Sequence, residues 1–243
     1  MKDTCFVTYT HSNCKDVWVP YFDSLKNFCP GIHNYILVDK FPSTYFIHYG
    51  ALFFKEYDDS ANYCSEFVRI LNDIPFEYFI YMQEDFILYD HVKKEEIERL
   101  REYLEKTGFS YARLIKCGDL SDVKLEENIF LAKSGQQHNS INSYSMQPTL
   151  WRKEDFIKLY TGANQSKFGE NMSYTHAMNQ LGLEGVYYFN GEKKRGSNHH
   201  DSSIFPYTAT AIVRGKWNTG EYSSELEKIF KLHSIDKNLR GTI

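Results

Sequence analysis

Two adjacent acids interrupt an apolar and aromatic stretch of the chain. Residues 78–89 read YFIYMQEDFILY, and the acids are Glu84 and Asp85. Such an apolar run is typical of a strand buried on both faces of a sheet. Carboxylates at the end of a buried strand are costly to desolvate unless a cation compensates them. The pair therefore predicts a site for a divalent ion that holds phosphate, and a solvated turn is the alternative.

The composition is that of a folded protein with many aromatic residues. Of the 243 residues, 42% are hydrophobic, 25% charged and 16% aromatic. The net charge is −4 and there is no basic tail, so we expect no nucleic-acid partner. Five scattered cysteines without a CxxC pair argue against a disulfide framework. Without a signal-peptide pattern or a window of about 18–20 apolar residues, we expect a cytoplasmic chain with no membrane span and reduced thiols. The oligomeric state is unknown.

Strand and helix signals alternate in the first half of the chain. The pattern predicts helices over 15–28 and 62–71, and strands over 4–10, 35–38, 45–48 and 78–89. This order implies an α/β fold with a Rossmann-like, mostly parallel sheet flanked by helices. In such sheets, ligands bind beyond the carboxyl ends of the strands, which is where the acidic pair would lie.

The second half of the chain is more irregular. Apolar spacing predicts helices over 93–106, 153–160, 173–181 and 225–233, and strands over 111–115, 129–132 and 208–213. No repeat or linker separates the halves. We therefore expect one domain over residues 1–243, with a ligand-binding half over 1–92 and a second half over 93–243.

Four segments carry a resemblance to a known family. The first strand ends in Thr8-Tyr9-Thr10, the second ends at Asp39, and Gln83-Glu84-Asp85 follows the acidic strand. Residues 145–171 contain WRKEDF and then FGEN. Together they resemble a GT-A-fold glycosyltransferase, in which a D-x-D-type motif joins a nucleotide-binding half to an acceptor half. Gln-Glu-Asp departs from D-x-D, and Gly-Glu-Asn departs from the family's Gly-Glu-Asp.

The resemblance implies a metal-dependent glycosyltransferase. It would move a sugar from a nucleotide-diphosphate donor, a UDP-sugar in our expectation, to a glycan acceptor, with inversion. The cofactor would be Mn²⁺ or Mg²⁺, which prefers oxygen ligands and takes few protein carboxylates. Small enzymes of this kind are typical of surface-polysaccharide gene clusters and of large viruses, and a viral one would act in the host cytoplasm.

The resemblance also assigns roles on the donor side. Asp85 would bind the metal with Glu84 as its neighbour, and His199 or His200 would complete the site, since imidazole suits several transition metals. A polar loop is the alternative for the histidines. Residues expected near the base, ribose or phosphates are Thr8, Tyr9, Thr10, Asp39, Arg69, Arg214 and Lys216. Ordinary surface charge is the alternative for the three cations.

On the acceptor side, the resemblance gives Glu170 the role of catalytic base. A partly buried carboxylate within reach of the acceptor hydroxyl would serve, and an acid stabilised by a helix dipole is the alternative. Trp151 would stack on the acceptor sugar, and a core tryptophan is the alternative.

Other functions make different demands on the sequence. A nucleotidyltransferase favours a glycine-rich phosphate loop after the first strand, whereas residues 10–13 read THSN. A metal-dependent hydrolase lacks support from any H-x-x-x-H spacing. A non-catalytic glycan- or nucleotide-sugar-binding protein of the same fold would keep the aromatic residues and lose the metal site.

Overall fold

The protein is described by a computed structural model covering residues 1, 3–41, 52–135, 144–163 and 171–243. Within these ranges, no helix is long and apolar enough to cross a membrane.

The first half forms four parallel strands joined by helices. The elements are β1 (Thr4–Tyr9), α1 (Lys15–Phe28), β2 (Asn34–Val38), β3 (Leu52–Glu56), α2 (Tyr63–Asn72) and β4 (Tyr78–Gln83). The strands lie in the order β3-β2-β1-β4, and each neighbouring pair is parallel. The predicted α/β class and mostly parallel sheet are confirmed for this part of the chain.

The second half extends the same sheet with mixed strand directions. After α3 (Lys94–Thr107) come β5 (Tyr111–Arg113), β6 (Lys124–Glu126), β7 (Ile129–Leu131), β8 (Thr149–Arg152), α4 (Lys153–Ala163), α5 (Asn171–Gln180) and β9 (Gly185–Tyr188). Strand β8 lies antiparallel between β4 and β5. The full order is β3-β2-β1-β4-β8-β5-β9-β7-β6.

The C-terminal region adds two small hairpins and two helices. One hairpin joins β10 (Lys194–Arg195) to β11 (His199–His200), and the other joins β12 (Ile212–Val213) to β13 (Lys216–Trp217). They are followed by α6 (Ser223–His233) and α7 (Lys237–Arg240). Backbone hydrogen bonds join Trp217 to Gly241 and Ile243, so the end of the described chain is anchored to the second hairpin.

Two hydrophobic cores cover the two faces of the sheet. Phe6 and Ile80 point to a core shared with α1, α3 and α6, whereas Val7 and Tyr81 point to one shared with α2, α4 and α5. Successive strand residues face opposite sides, and β1 and β4 are buried at every position but the last, as expected for strands covered on both faces.

Two predicted strands differ from the structure, and a third cannot be compared with it. The acidic strand ends at Gln83, because Glu84 and Asp85 form a turn. The strand predicted over 208–213 is reduced to Ile212–Val213, because Thr208 instead packs on that turn and bonds the Asp85 carbonyl. A strand over 45–48 lies outside the described residues, and the third strand found in the sheet is Leu52–Glu56.

Candidate functional site

The acidic turn lies at the carboxyl edge of β4, beside the end of β1. Gln83, the last residue of β4, is in register with Tyr9, the last residue of β1. The C-terminal segment holds the turn in place: the Thr208 hydroxyl donates to the Asp85 carbonyl at 3.1 Å, and the Ile212 amide donates to Asp85 Oδ2 at 3.4 Å. Both acidic side chains are half-buried. The turn therefore presents two carboxylates at the edge where α/β sheets bind ligands.

The acidic pair favours a proton when no cation is bound. Burial raises the pKa of Asp85 to about 8, and the nearby charge of Glu84 adds to the rise. Burial also raises the pKa of Glu84, although hydrogen bonds from Cys14 and Thr10 oppose the increase. Two carboxylates that share a site cannot both ionise without compensation. A cation bound there would restore both negative charges, and carboxylate oxygens are suitable ligands for Mg²⁺ or Mn²⁺.

Arg240 brings a positive charge to the acidic turn. Its guanidinium contacts the Asp16 carboxylate at 2.6 and 3.0 Å and donates to the Gly215 carbonyl at 3.2 Å. Although burial dominates the pKa values of Glu84 and Asp85, the charge of Arg240 lowers both. Sequence analysis missed this residue, because no local pattern indicates that helix α7 meets the start of α1.

A tyrosine-lined cleft opens next to the acidic turn. Its volume is about 550 Å³, and it lies at the carboxyl ends of β1 and β2 beside the start of α2. Its lining residues are Tyr9, Leu37, Tyr57, Asp58, Asp59, Ala61, Tyr63, Glu66, Phe67 and Ile70. Tyr9 is stacked on Tyr57 with ring centroids 5.1 Å apart and meets Tyr63 edge-on at the same distance. Aromatic walls with acidic acceptors suit a flat heterocycle that carries hydrogen-bond donors.

Asp39 follows β2 and is connected to the wall of this cleft through His11. Its carboxylate accepts hydrogen bonds from the Ser12 amide at 2.6 Å and the Ser12 hydroxyl at 2.7 Å. The His11 imidazole lies 3.4 Å from Asp39 and 3.6 Å from Asp59 of the cleft wall. Burial raises the pKa of Asp39, but the hydrogen bonds from Ser12 outweigh it and hold the pKa below its usual value. Asp39 is therefore an ionised acceptor.

The three residues that end the first strand have different surroundings. Tyr9 lines the cleft. Thr10 accepts a hydrogen bond from Trp18 Nε1 at 2.7 Å and also bonds Glu84. Thr8 is fully buried, and its hydroxyl bonds Tyr21 at 2.7 Å and Asn34 at 2.9 Å. The structure thus corrects the expected donor contact of Thr8, because its side chain faces the core.

The three predicted cations lie in two places. The Arg69 guanidinium donates to the Glu66 carboxylate at 2.8 Å and to the Glu56 carbonyl at 3.0 Å. These contacts hold it against the end of β3 and its own helix, α2. Arg214 occupies the tip of the second hairpin with a positive φ of 50°, and Lys216 follows it. The carbonyl of the intervening Gly215 contacts Arg240. Arg214 and Lys216 therefore flank the part of the chain that closes the acidic turn.

The two histidines are held in a different part of the fold. His199 and His200 pair with β10, and His200 Nδ1 lies 3.3 Å from the Lys116 carbonyl. Burial lowers the pKa of both imidazoles. Across the described ranges, no three His, Cys, Asp or Glu side chains form a group that could hold a metal. The expected set of Asp85 with His199 or His200 is thus not assembled, because backbone pairing keeps the histidines beside the loop after β5.

Trp151 lies in the hydrophobic core on the α2, α4 and α5 side of the sheet. The Trp151 side chain is 2% exposed, and its ring packs 4.6 Å from Tyr111 and 5.2 Å from Phe156. The expected stacking on an acceptor sugar is therefore corrected, because both faces of the indole are surrounded by protein. The predicted base, Glu170, falls outside the described residues.

Comparison with known proteins supports the fold. No protein-family model matches the chain, and no curated protein matches it by sequence. Among solved structures, a cytidylyltransferase from Leptospira borgpetersenii is similar at 9% identity, with 97% of both chains covered and a TM-score of 0.50. A CMP:2-keto-3-deoxy-manno-octonic acid synthetase in complex with CTP is similar at 10% identity, covering 96% of this chain and 98% of that one with a TM-score of 0.49.

A third similar structure is longer than this chain. The bifunctional IspDF of Campylobacter jejuni is 14% identical, with a TM-score of 0.43, and the match covers 84% of this chain but only 52% of that one. Identities this low carry information on the fold alone. The chain therefore has a mixed α/β fold with a large, mostly parallel central sheet, of the Rossmann-like kind also found in the Leptospira cytidylyltransferase.

Proposed function

We propose that the protein is a metal-dependent glycosyltransferase that uses a nucleotide-diphosphate sugar, with a UDP-sugar as the donor. The observation that carries this proposal is the acidic turn of Glu84 and Asp85 at the carboxyl edge of β4, next to the tyrosine-lined cleft. Burial raises the pKa of both acids of the turn, so a bound cation would favour their ionised forms, and the cleft suits a base and ribose. A nucleotide diphosphate spans those two features.

The donor would lie across the ends of β1, β2 and β4. The base would occupy the tyrosine-lined cleft, against the wall that contains Tyr9 and Tyr63, and Asp39 would accept a hydrogen bond from a base or ribose donor. Asp85 would hold Mn²⁺ or Mg²⁺, which, when bound, offsets negative charge on the leaving diphosphate. Arg240 and the hairpin residue Lys216 would contact the phosphate oxygens, since charge-assisted hydrogen bonds to phosphate are strong.

The acceptor would enter from the side of β8 and β5. An inverting transfer needs a base near the acceptor hydroxyl, and Glu170 remains our proposal for it on the resemblance of residues 145–171 alone. Among the described contacts, none joins His199 or His200 to Asp85, so the proposal gives these histidines no metal-binding role.

A nucleotidyltransferase is the strongest competitor, because the structure with a TM-score of 0.50 is a cytidylyltransferase. The loop after β1 disfavours that activity. Its amides already have acceptors: Ser12 donates to Asp39, Asn13 to the His11 side chain, and Cys14 to the His11 carbonyl. Glycine is also missing from residues 10–13. Three amides of this loop are therefore already bonded and not free to surround a triphosphate.

The products of the reaction distinguish the candidates. The protein is incubated with UDP- and GDP-sugars, and separately with CTP or UTP plus a sugar phosphate, each with and without Mn²⁺. A glycosyltransferase releases nucleoside diphosphate slowly by donor hydrolysis, whereas a nucleotidyltransferase releases pyrophosphate. Metal-dependent release of UDP or GDP supports the proposal. Pyrophosphate release contradicts it, and tight binding without turnover would support the non-catalytic alternative.

A further inference from the structure

A buried arginine at the end of β5 has too few partners. Arg113 is the last residue of β5, and its side chain is 2% exposed. Its Nη1 donates to the Cys117 carbonyl at a long 3.5 Å, and its guanidinium lies 6.0 Å from the centre of the Tyr111 ring. Its Nη2 is buried and has no hydrogen-bond partner. Within the described ranges, no carboxylate forms an ion pair with it.

An arginine in that state is unfavourable on its own. A guanidinium keeps its charge at any ordinary pH, so it cannot escape burial by losing a proton. A buried charge without a counter-ion is strongly destabilising, and even a neutral buried donor left unpaired costs about 1–3 kcal/mol. The neighbouring cation, Lys116, has a carboxylate partner, since its Nζ lies 2.8 Å from Asp122. An anion beside Arg113 would supply both the missing hydrogen-bond acceptor and the missing counter-charge.

The sheet places Arg113 on the same edge as the acidic turn. Thr149 of β8 is in register with Tyr81 of β4 on one side and with Arg113 on the other. Adjacent strands lie about 4.8 Å apart, so the backbones of Tyr81 and Arg113 are separated by about 10 Å. Tyr81 is four residues before Asp85 on the same strand and turn. A sugar transferred at the acidic turn would have its acceptor on the β8–β5 side, toward Arg113.

The face of the sheet also agrees. Arg113 lies two residues after Tyr111 on β5, so both point to the same side. Tyr111, Tyr81 and Tyr187 all belong to the core on the α2, α4 and α5 side. Tyr9, which lines the cleft, packs against that same core. Arg113 and the cleft thus share one face of the sheet, on opposite sides of β4 and β8.

We propose that Arg113 binds an anionic group, a carboxylate or a phosphate, carried by the acceptor, so that the acceptor is an acidic glycan or a phosphate-containing one. The planar guanidinium fork matches both groups in a bidentate geometry. The identification of the anion's carrier as the acceptor rests on the proposed function. The anion site itself rests only on the burial and missing partner of Arg113.

The test uses the protein with inorganic phosphate and, separately, acetate as probes. Protein labelled with ¹⁵N-arginine is titrated with each anion up to about 0.15 M ionic strength, with chloride as the ionic control. The Nε–H signal of Arg113 is assigned by its loss in Arg113→Lys. We expect a saturating chemical-shift change of this signal with phosphate or acetate and none with chloride. The same change should occur in Arg240→Met, because that variant removes the proposed diphosphate contact and leaves Arg113 in place.

Variants supply the second readout. For Arg113→Lys, the anion concentration that gives half of the maximal thermal stabilisation should be roughly tenfold higher than for the wild type. This corresponds to a loss of about 1.4 kcal/mol of binding free energy. Arg99→Met, which changes a surface arginine paired with Glu96 at 2.9 Å, should titrate like the wild type. Preference for phosphate over acetate would indicate a phosphate-containing acceptor, and the reverse a carboxylate.

The proposal is overturned if the Arg113 signal is unmoved by both anions, or if Arg113→Lys titrates like the wild type. Neither readout uses a sugar donor, so failure of the anion site and failure of the glycosyltransferase proposal give separate results. If the anion binds Arg113 but no donor is turned over, the anion site stands and its assignment to an acceptor falls.

Discussion

Arg240 of the last helix contacts Asp16 of the first helix at 2.6 Å, although the two residues lie near opposite ends of the described chain. Asp16 is half exposed, whereas the Arg240 side chain is only 15% exposed. The same guanidinium bonds Gly215 of the β12–β13 hairpin. The ion pair thus ties the start of α1 to the hairpin on the other side of the acidic turn, and it leaves a positive charge beside Glu84 and Asp85.

Replacing Arg240 should weaken nucleotide binding more than it weakens folding. In Arg240→Met we expect the Kd for UDP in the presence of Mn²⁺ to rise roughly tenfold, because one charge-assisted contact to phosphate is lost. Asp16→Asn breaks the ion pair but keeps the arginine charge, so its Kd should stay within about twofold of the wild type. Isothermal titration calorimetry measures both. Equal losses in the two variants would mean that Arg240 acts only by holding α7 in place.

Stability without metal should fall as the pH rises. The folded-state pKa of Asp85 is raised from 3.8 to about 8, so the folded protein binds this proton more tightly than the unfolded chain does. The resulting stabilisation is complete below about pH 4 and is lost as the pH rises through about 8.

The variant Asp85→Asn isolates this contribution. The amide cannot titrate, so its melting temperature relative to the wild type should increase between pH 5 and pH 8, by at least about 2 °C for a chain of this size. Differential scanning calorimetry in a chelating buffer provides the measurement. A constant difference in melting temperature between wild type and variant from pH 5 to pH 8 would contradict a raised pKa of Asp85.

The histidines of β11 should have little effect on the metal. His199 and His200 are held by the β10 strand and the Lys116 carbonyl, away from any assembled ligand group in the described ranges. We therefore expect the Mn²⁺ concentration that gives half-maximal UDP binding to stay within about twofold of the wild-type value in the double variant His199→Gln with His200→Gln. No metal ligand is removed in this variant. A loss of about tenfold or more would restore them as metal ligands.

Trp151 should matter for folding and not for the acceptor. Trp151→Ala removes a buried indole that packs on Tyr111 and Phe156, so it should destabilise the protein by about 3–5 kcal/mol in urea unfolding. Trp151→Phe keeps most of the apolar volume, and the KM for any acceptor should be unchanged. A selective rise in that KM, with normal stability, would return Trp151 to the acceptor site.

The sequence predicted best what depends on local periodicity. Strands β1, β2 and β4 alternate with α1 and α2 as expected, because each carries its own apolar pattern and turn signals. The acidic turn was found for the same reason, since acids after a buried strand are conspicuous. Strand β3 (Leu52–Glu56) was not predicted, because short apolar runs such as 52–54 do not by periodicity alone indicate a strand.

Side-chain direction and long-range contacts were not predictable. Thr8 and Tyr9 are neighbours, yet the first turns into the core toward Tyr21 and the second lines the cleft. Which one faces a ligand depends on the register of β1 between β2 and β4. The role of Arg240 depends on where the last helix meets the first, and no pattern in a single sequence encodes that. The missing partner of Arg113 likewise becomes visible only once its surroundings are known.

Metal-dependent binding of UDP through Asp85 tests the central claim most directly. Melting temperature is measured with UDP, with Mn²⁺, and with both, for the wild type, Asp85→Asn and the control Asp90→Asn, whose carboxylate is exposed and bonds only the adjacent His91 amide among the described contacts. For wild type and control we expect UDP with Mn²⁺ at about 100 times Kd to stabilise by about 2.7 kcal/mol, a shift of about 5–10 °C. The variant Asp85→Asn should lose this stabilisation by UDP with Mn²⁺. An equal shift in Asp85→Asn, or none in the wild type, would contradict the account.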